Sequence, residues 1–226
     1  DDGVKGAVVQ LAPQNFRKIT IEEDLVRAGA AAMLNKVISA AARAHLGGLG
    51  CLVGIPGTVG GAVKMNAGGA FGDIGQSVER VKVMDTYGHT FYRERDGLAF
   101  GYRASNISAR FILDVELRLA PDTERAIIQR MKQIWIARKN TQPVTYGSAG
   151  CIFKNPRGMS AGALIDQSGL KGTKVGKAMV SRKHANYIVV QGRGKAGHVR
   201  ELIETIREKV YERFGTYLEL EIEVWS

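Results

Sequence analysis

The sequence has 226 residues, of which 32 are Lys or Arg and 22 are Asp or Glu, giving a formal net charge of +10. With 45% hydrophobic and 24% charged residues, it has the composition of a globular protein with one large or two small domains, which excludes a disordered tail and a mini-protein scaffold. The charge favours anionic partners, but the basic residues are dispersed and aromatics make up only 7%, so neither a recognition helix nor a base-stacking platform emerges and no nucleic-acid partner is expected.

The first residues, Asp1 to Gly6, lack the charged-then-apolar order of a signal segment, and Ala7 to Leu11 looks like a strand. Glu22 to Ala28 with Ala30 to Arg43 contains a small-residue helix, with Asn35 to Ala44 its surest part. Ten of the 28 glycines then fall between Gly47 and Gly72. The uncharged stretch Leu46 to Val63 approaches membrane-spanning length, but its seven Gly and Pro56 make it a loop system, and no membrane partner is expected.

Val78 to Asp85 alternates as a strand, Tyr87-Gly88 makes a turn, and His89 to Arg93 returns as the hairpin partner; Phe111 to Leu119 continues this β-rich block. Pro121-Asp122-Thr123 breaks the chain and caps a long helix, Glu124 to Lys139, with Ile127, Ile128, Met131, Ile134 and Trp135 at helical spacing. The expected domain boundary lies here, giving domains 1–120 and 121–226. Downstream come an irregular stretch to Asn155, a short helix over Ala161 to Ser168, a strand Tyr187 to Gln191, a helix His198 to Phe214 and a final strand Tyr217 to Val224.

Four features carry chemistry, each with a bland reading beside it. Gly192 to Gly197 fits GxGxxG after a strand and before a helix, but one βαβ-sized unit is all that the remaining sequence allows, so a flexible strand-to-helix turn is the better reading than a dinucleotide fold. The run Gly54 to Val63 could aim backbone amides into one concavity that suits a diphosphate, or be a structural turn. Cys51 and Cys151 show no CxxC or His-rich spacing, which argues against a zinc site and a disulfide framework and for a reducing cytosol; no metal is expected. Cys151 by itself reads as a small buried hydrophobe. Glu219, Glu221 and Glu223 alternate with apolar residues and by themselves read as a solvated strand face, and Arg103 as a surface arginine.

Taken together, GIPGTVGGAVKMNAGG, FGYRAS, SAGCIFKNP, GALIDQSGLKG, SRKHANYIVV and LELEIEV, in this order, closely resemble the bacterial UDP-N-acetylenolpyruvoylglucosamine reductases, also called UDP-N-acetylmuramate dehydrogenases. The likeness runs from Asp2 to Val224. It implies an α+β chain, with a flavin-binding portion followed by a smaller α+β substrate-binding domain. It also implies a cytoplasmic, monomeric oxidoreductase of peptidoglycan precursor synthesis that uses FAD and NADPH to reduce the enol ether of a UDP-sugar.

The family's FAD loop maps onto Gly57, Thr58, Gly60, Gly61, Ala62, Val63 and Asn66. Its catalytic residues map onto Arg103, Cys151 and Glu221, and its substrate contacts onto Tyr102, Lys139, Asn155 and Gln167. Arg103 would hold the developing enolate, Cys151 would donate the proton, and Glu221 would shape the protonation network. Many members carry Ser where this chain has Cys151, the segment Gly68 to Gly72 is one residue longer than the commonest form, and Glu223 stands where Arg is frequent. Family members also begin with a subdomain whose glycine-rich turn wraps the flavin diphosphate. This sequence enters just after that turn, so the cradle is expected to be incomplete at its N-terminal side. The competing readings are a flavin oxidoreductase of related fold acting on another substrate, and a non-catalytic truncated remnant serving as a basic binding module. Retention of SAGCIFKNP and of the terminal Glu disfavours the former.

Overall fold

The structure is a computed structural model and describes residues 3–225. Its contacts separate two compact units, Val8–Ala137 and Arg138–Ser226, with the start of the chain grouping with the latter. That division falls later than the boundary expected at residue 121, within the last turn of the long helix.

The first unit is built on a five-stranded antiparallel sheet. Its strands are β1 (Ile19–Glu22), β2 (Leu25–Gly29), β3 (Val78–Met84), β4 (Thr90–Glu94) and β5 (Phe111–Arg118), in the spatial order β1-β2-β5-β3-β4. Alternation puts Val26, Ala28, Val81, Val83, Val115 and Leu117 on one face. There they pack with α2 (Leu34–Arg43) and α3 (Val59–Lys64) through Leu34, Val37, Ile38, Val59 and Val63. The opposite face is charged. Glu116 is only 4% exposed, and its carboxylate accepts from Arg27 Nε at 2.7 Å and Arg80 Nε at 2.6 Å. Burial by itself would raise the pKa of Glu116, but the two guanidinium groups outweigh it and hold the carboxylate below its usual range.

Two expectations near the start of this unit fail. Ala7 to Leu11 forms no strand and is followed by a single helical turn, α1 (Pro13–Phe16). Glu22 to Ala28 is not helical: Glu23 takes a left-handed backbone (φ +52°), and the chain reverses into the β1–β2 hairpin. Pairing of β2 with β5, from Leu25–Arg118 to Gly29–Asp114, overrides a local composition that favours helix. The long helix α4 (Glu124–Thr141) forms as its spacing predicts, with Thr123 Oγ1 accepting from the Ala126 amide at its start. Ile127 is its one buried residue, while Ile128 and Trp135 are exposed.

The second unit holds α5 (Ala161–Gln167), the antiparallel strands β6 (Lys174–Val175), β7 (Ala178–Val180) and β8 (Ile188–Val190), and α6 (Ala196–Phe214). Leu202, Ile203, Ile206 and Val210 form one stripe of α6 and pack against Ile152, Phe153, Ile165, Val180 and Leu218. Gly215, at φ +63°, ends the helix in the left-handed conformation that glycine takes without strain. The strand before Gly192 belongs to a small antiparallel sheet, so the GxGxxG segment is a turn into α6 and not part of a parallel dinucleotide fold. The expected strand Tyr217 to Val224 reduces to one bridge, Leu220 with Phe153. The remainder of that segment finds no ladder partner, and Ile222 packs at the core margin instead.

Helices and antiparallel sheets in both units make the chain α+β. Among the described residues no helix is long and apolar enough to cross a membrane.

Candidate active site

In the first unit the site residues cluster around the two ends of α3. Thr58 is its N-cap, with Oγ1 accepting from the Gly61 amide at 3.4 Å. The two amides that follow are committed to the fold: Val59 donates to the Ala32 carbonyl and Gly60 to the Ala30 carbonyl, both at 2.9 Å. A Cβ on Gly60 would lie 2.8 Å from the Ala30 Cβ, so glycine there permits α3 to pack against the residue that follows β2. Ala62 and Val63 are likewise core residues. What faces solvent is Gly57, at φ +121° with open space where a side chain would stand and its carbonyl accepting from the Leu34 amide at 3.0 Å, together with Gly61 and the half-exposed Thr58.

Asn66, past the other end of α3, is 4% exposed. Its side chain is committed to the protein, donating to the Gly101 carbonyl at 2.9 Å and accepting from the Gly75 amide at 3.0 Å. Through Gly101 it anchors the tight hairpin Phe100–Ser105, which is also held where Ser105 Oγ donates to the Lys64 carbonyl at 2.8 Å. Tyr102 and Arg103 are the two residues of that hairpin's tip. Arg103 adopts φ +53°, a region costly for a long side chain, and its guanidinium lies 5.2 Å from the centre of the Tyr102 ring. Six residues of helix thus connect the exposed Gly57–Thr58 backbone to the mount that presents Arg103.

In the second unit three chain segments lie side by side. Cys151 forms an antiparallel bridge with Tyr187, and the Ile152 amide donates to the Asn186 carbonyl at 2.9 Å. On the other side the Glu221 amide donates to the Ile152 carbonyl at 2.8 Å, and Phe153 bridges Leu220. The buried Asn186 side chain locks the register: it donates to the Phe153 carbonyl at 2.8 Å and accepts from the Phe153 amide at 2.9 Å. Cys151 is half-buried rather than core.

Two residues that sequence reasoning did not single out, Tyr187 and Arg138, enter here beside Glu221: Tyr187 is the bridge partner of Cys151, and the charges of Arg138 and Glu221 act on its phenol. The Tyr187 phenol is hydrogen-bonded to Cys151. Burial first, then the negative form of Cys151 and the bond to it, hold this phenol far above the ordinary tyrosine range; the Arg138 charge opposes the rise and Glu221 adds to it. The one sequence signal was a polar-tipped aromatic opening the apolar run Ile188-Val189-Val190.

The remaining predicted contacts are less closely gathered. Asn155 Oδ1 accepts from the Ala161 amide at 3.0 Å, beside the start of α5, whereas Gln167 closes the other end of that helix, roughly 9 Å along the axis at the usual rise. Lys139 is exposed, and its carbonyl accepts from Lys183 Nζ. Among the described residues no group of His, Cys, Asp and Glu could hold a metal ion.

Comparison with known proteins bears on both halves of this arrangement. A family model described as the C-terminal domain of UDP-N-acetylenolpyruvoylglucosamine reductase matches residues 142–225, and one described as an FAD binding domain matches residues 1–91. UDP-N-acetylenolpyruvoylglucosamine reductase of Moorella thermoacetica is 42% identical over 227 residues, covering 100% of this chain and 74% of the relative. The chain belongs to the UDP-N-acetylenolpyruvoylglucosamine reductase family. The Bradyrhizobium member is 40% identical across 98% of this chain and 73% of its own length. The crystal structure of the reductase from Thermus caldophilus superposes with a TM-score of 0.86 at 42% identity, over 100% of this chain and 80% of that one. Membership makes the chain one of a family of FAD-dependent oxidoreductases, and the likeness to the Thermus caldophilus reductase agrees with the α+β reading.

Proposed function

We propose that the chain reduces UDP-N-acetylenolpyruvoylglucosamine to UDP-N-acetylmuramate with NADPH and FAD, in the cytoplasm, as a step of peptidoglycan precursor synthesis. The observation that carries this reading is the half-buried Cys151 thiol, held in register between the segments of Tyr187 and Glu221, with the charges of Glu221 and Arg138 acting on the adjoining Tyr187 phenol. The comparisons support it along the full sequence.

The residues present fit an FAD diphosphate, because Gly57 and Gly61 bring side-chain-free backbone to the surface beside the Thr58 hydroxyl. When bound, FAD supplies the two-electron relay between NADPH and the UDP-sugar. Ala62, Val63, Gly60 and Asn66 shape this loop from within, by packing and by anchoring the Arg103 hairpin.

When the terminal carbon of the enol ether receives a hydride, negative charge develops on the adjacent carbon and its carboxylate. Arg103, with its fork of donors, stabilises that enolate, and Tyr102 supports the guanidinium. The adjacent carbon then takes the proton of Cys151: the S–H bond breaks, a C–H bond forms, and the negative charge passes to sulfur. A thiol is protonated at neutral pH yet far more acidic than a serine hydroxyl, which suits it to this task. Glu221 sets the electrostatics beside it. Lys139, Asn155 and Gln167, spread along one side of the unit's sequence, serve the extended UDP-sugar.

The test compares the two half-reactions by stopped flow in wild type, Cys151→Ser and Cys151→Ala. Cys151→Ala should slow substrate reduction by about 10²- to 10⁴-fold while reduction of the flavin by NADPH continues. Cys151→Ser should retain more activity than Ala, because a transferable proton remains. Equal substrate-reduction rates in wild type and Cys151→Ala would return Cys151 to a packing role.

A further inference from the structure

Cys151 and Tyr187 stand directly opposite each other in an antiparallel bridge, which sends both side chains off the same side of the pair. The register that aligns them does not depend on either side chain. It is set by the Ile152–Asn186 main-chain bond and by the double clamp of the Asn186 amide on Phe153. The charged groups that face the phenol are Arg138, from the last turn of α4, and Glu221, from the segment on the far side of Cys151. The His184 ring packs edge-on against Tyr187 with centroids 4.8 Å apart. Burial lowers the pKa of that histidine, with a further contribution from the Lys171 charge, so it stays neutral near pH 7 and adds no competing cation.

We propose that Tyr187 is a positioning residue for Cys151, whose hydroxyl fixes the thiol rotamer and donates to the thiolate left behind when the proton is delivered. The phenol keeps its own proton throughout, and the sulfur is reprotonated from solvent before the next turnover. Burial and the neighbouring negative groups keep Tyr187 in its protonated, donating form across the working pH range. A hydrogen bond to an ionised acceptor is among the stronger kinds, so this one lowers the energy of the conjugate base and makes the thiol the better acid. The role in turnover rests on the reaction proposed above, whereas the contact itself rests on the structure alone.

Tyr187→Phe removes the hydroxyl while keeping the ring, its packing on His184 and the strand register. The first measurement is the pH dependence of Cys151 alkylation by iodoacetamide in the full chain, read at the Cys151 peptide by mass spectrometry so that Cys51 does not contribute. The thiol midpoint should rise by about 0.5 to 1 unit in Tyr187→Phe. The second is the pair of half-reactions. Substrate reduction should slow by roughly three- to tenfold, with its pH profile displaced by the same interval as the alkylation midpoint, and NADPH should reduce the flavin at the wild-type rate.

An unchanged alkylation midpoint overturns the contact. A displaced midpoint with unchanged substrate reduction overturns the role in turnover. If wild type does not reduce the UDP-sugar at all, the functional reading fails, and the alkylation midpoint still decides whether Tyr187 stabilises the thiolate.

Discussion

Arg103 is held in a backbone conformation that long side chains avoid, at the tip of a hairpin whose both arms are tied down near the end of α3. Such a conformation persists only where the surroundings over-determine it, and it aims the guanidinium with little freedom to wander. Lysine at this position would keep the charge but lose the planar fork. Arg103→Lys should therefore slow substrate reduction by about 10²- to 10³-fold, the range typical of losing one donor to a developing oxyanion, while flavin reduction by NADPH proceeds as in wild type. Stopped-flow traces of the two half-reactions check this directly. Arg103 and Cys151 could be singled out as candidates from sequence because each sits in a short motif of fixed order. Arg138 and Tyr187 could not, because what makes them candidates is a partner brought in from another segment, and neither residue's own neighbourhood announces it. Asn66 was legible only as a loop member; that its amide is spent on Gly101 and Gly75 emerges from packing.

At the scale of elements, the helices α4 and α6 and the strands β3 and β5 could be read from the spacing of apolar residues in the sequence, although in α4 only Ile127 of those residues is buried. The β1–β2 hairpin could not. Its Leu-Val-Arg-Ala-Gly strand is decided by pairing to residues 114–118, distant in sequence. Conversely, the apolar run Ala7 to Leu11 and the alternating Glu219 to Glu223 have no full ladder to join, and a strand-like sequence without a neighbour does not make a strand.

The charged face of the five-stranded sheet carries its own consequence. Asp114 lies beside Glu116, its buried Oδ1 has no hydrogen-bond partner among the described residues, and Arg27 Nε is 3.8 Å away. Burial lifts its pKa from 3.8 to about 6; Arg27 opposes the rise and Glu116 adds to it. A carboxyl raised on folding favours the folded state while protonated, so its contribution is complete below about pH 4 and is lost as pH climbs through about 6. Asp114→Asn should raise stability at pH 7.5 by about 1 to 2 kcal/mol, allowing for the site's partial access to solvent, and change little at pH 4. Thermal melts of both proteins at the two pH values test the sign. Gly60→Ala, in contrast, should lower the melting temperature at every pH, because the added methyl meets Ala30, whose carbonyl is held by the Gly60 amide at 2.9 Å.

For the molecule as a whole, a net charge of +10 faces three anionic ligands in the proposed reaction. Exposed charges act over about 10 Å at 0.1 M salt and less above it, so raising NaCl should increase KM for NADPH and for the UDP-sugar, with kcat less affected. Steady-state kinetics across a salt series separate the two, and a salt-independent KM for both ligands would show that the surplus is not used in capture. The thiol site has a further property at this scale. Its three strips of chain, around Cys151, Asn186-Tyr187 and Leu220-Glu221, lie far apart in the order of synthesis. In a chain still growing on the ribosome, the segment that carries Cys151 therefore has one edge unpaired until the segment around Glu221 has emerged, so the surroundings of its thiol are completed late in synthesis.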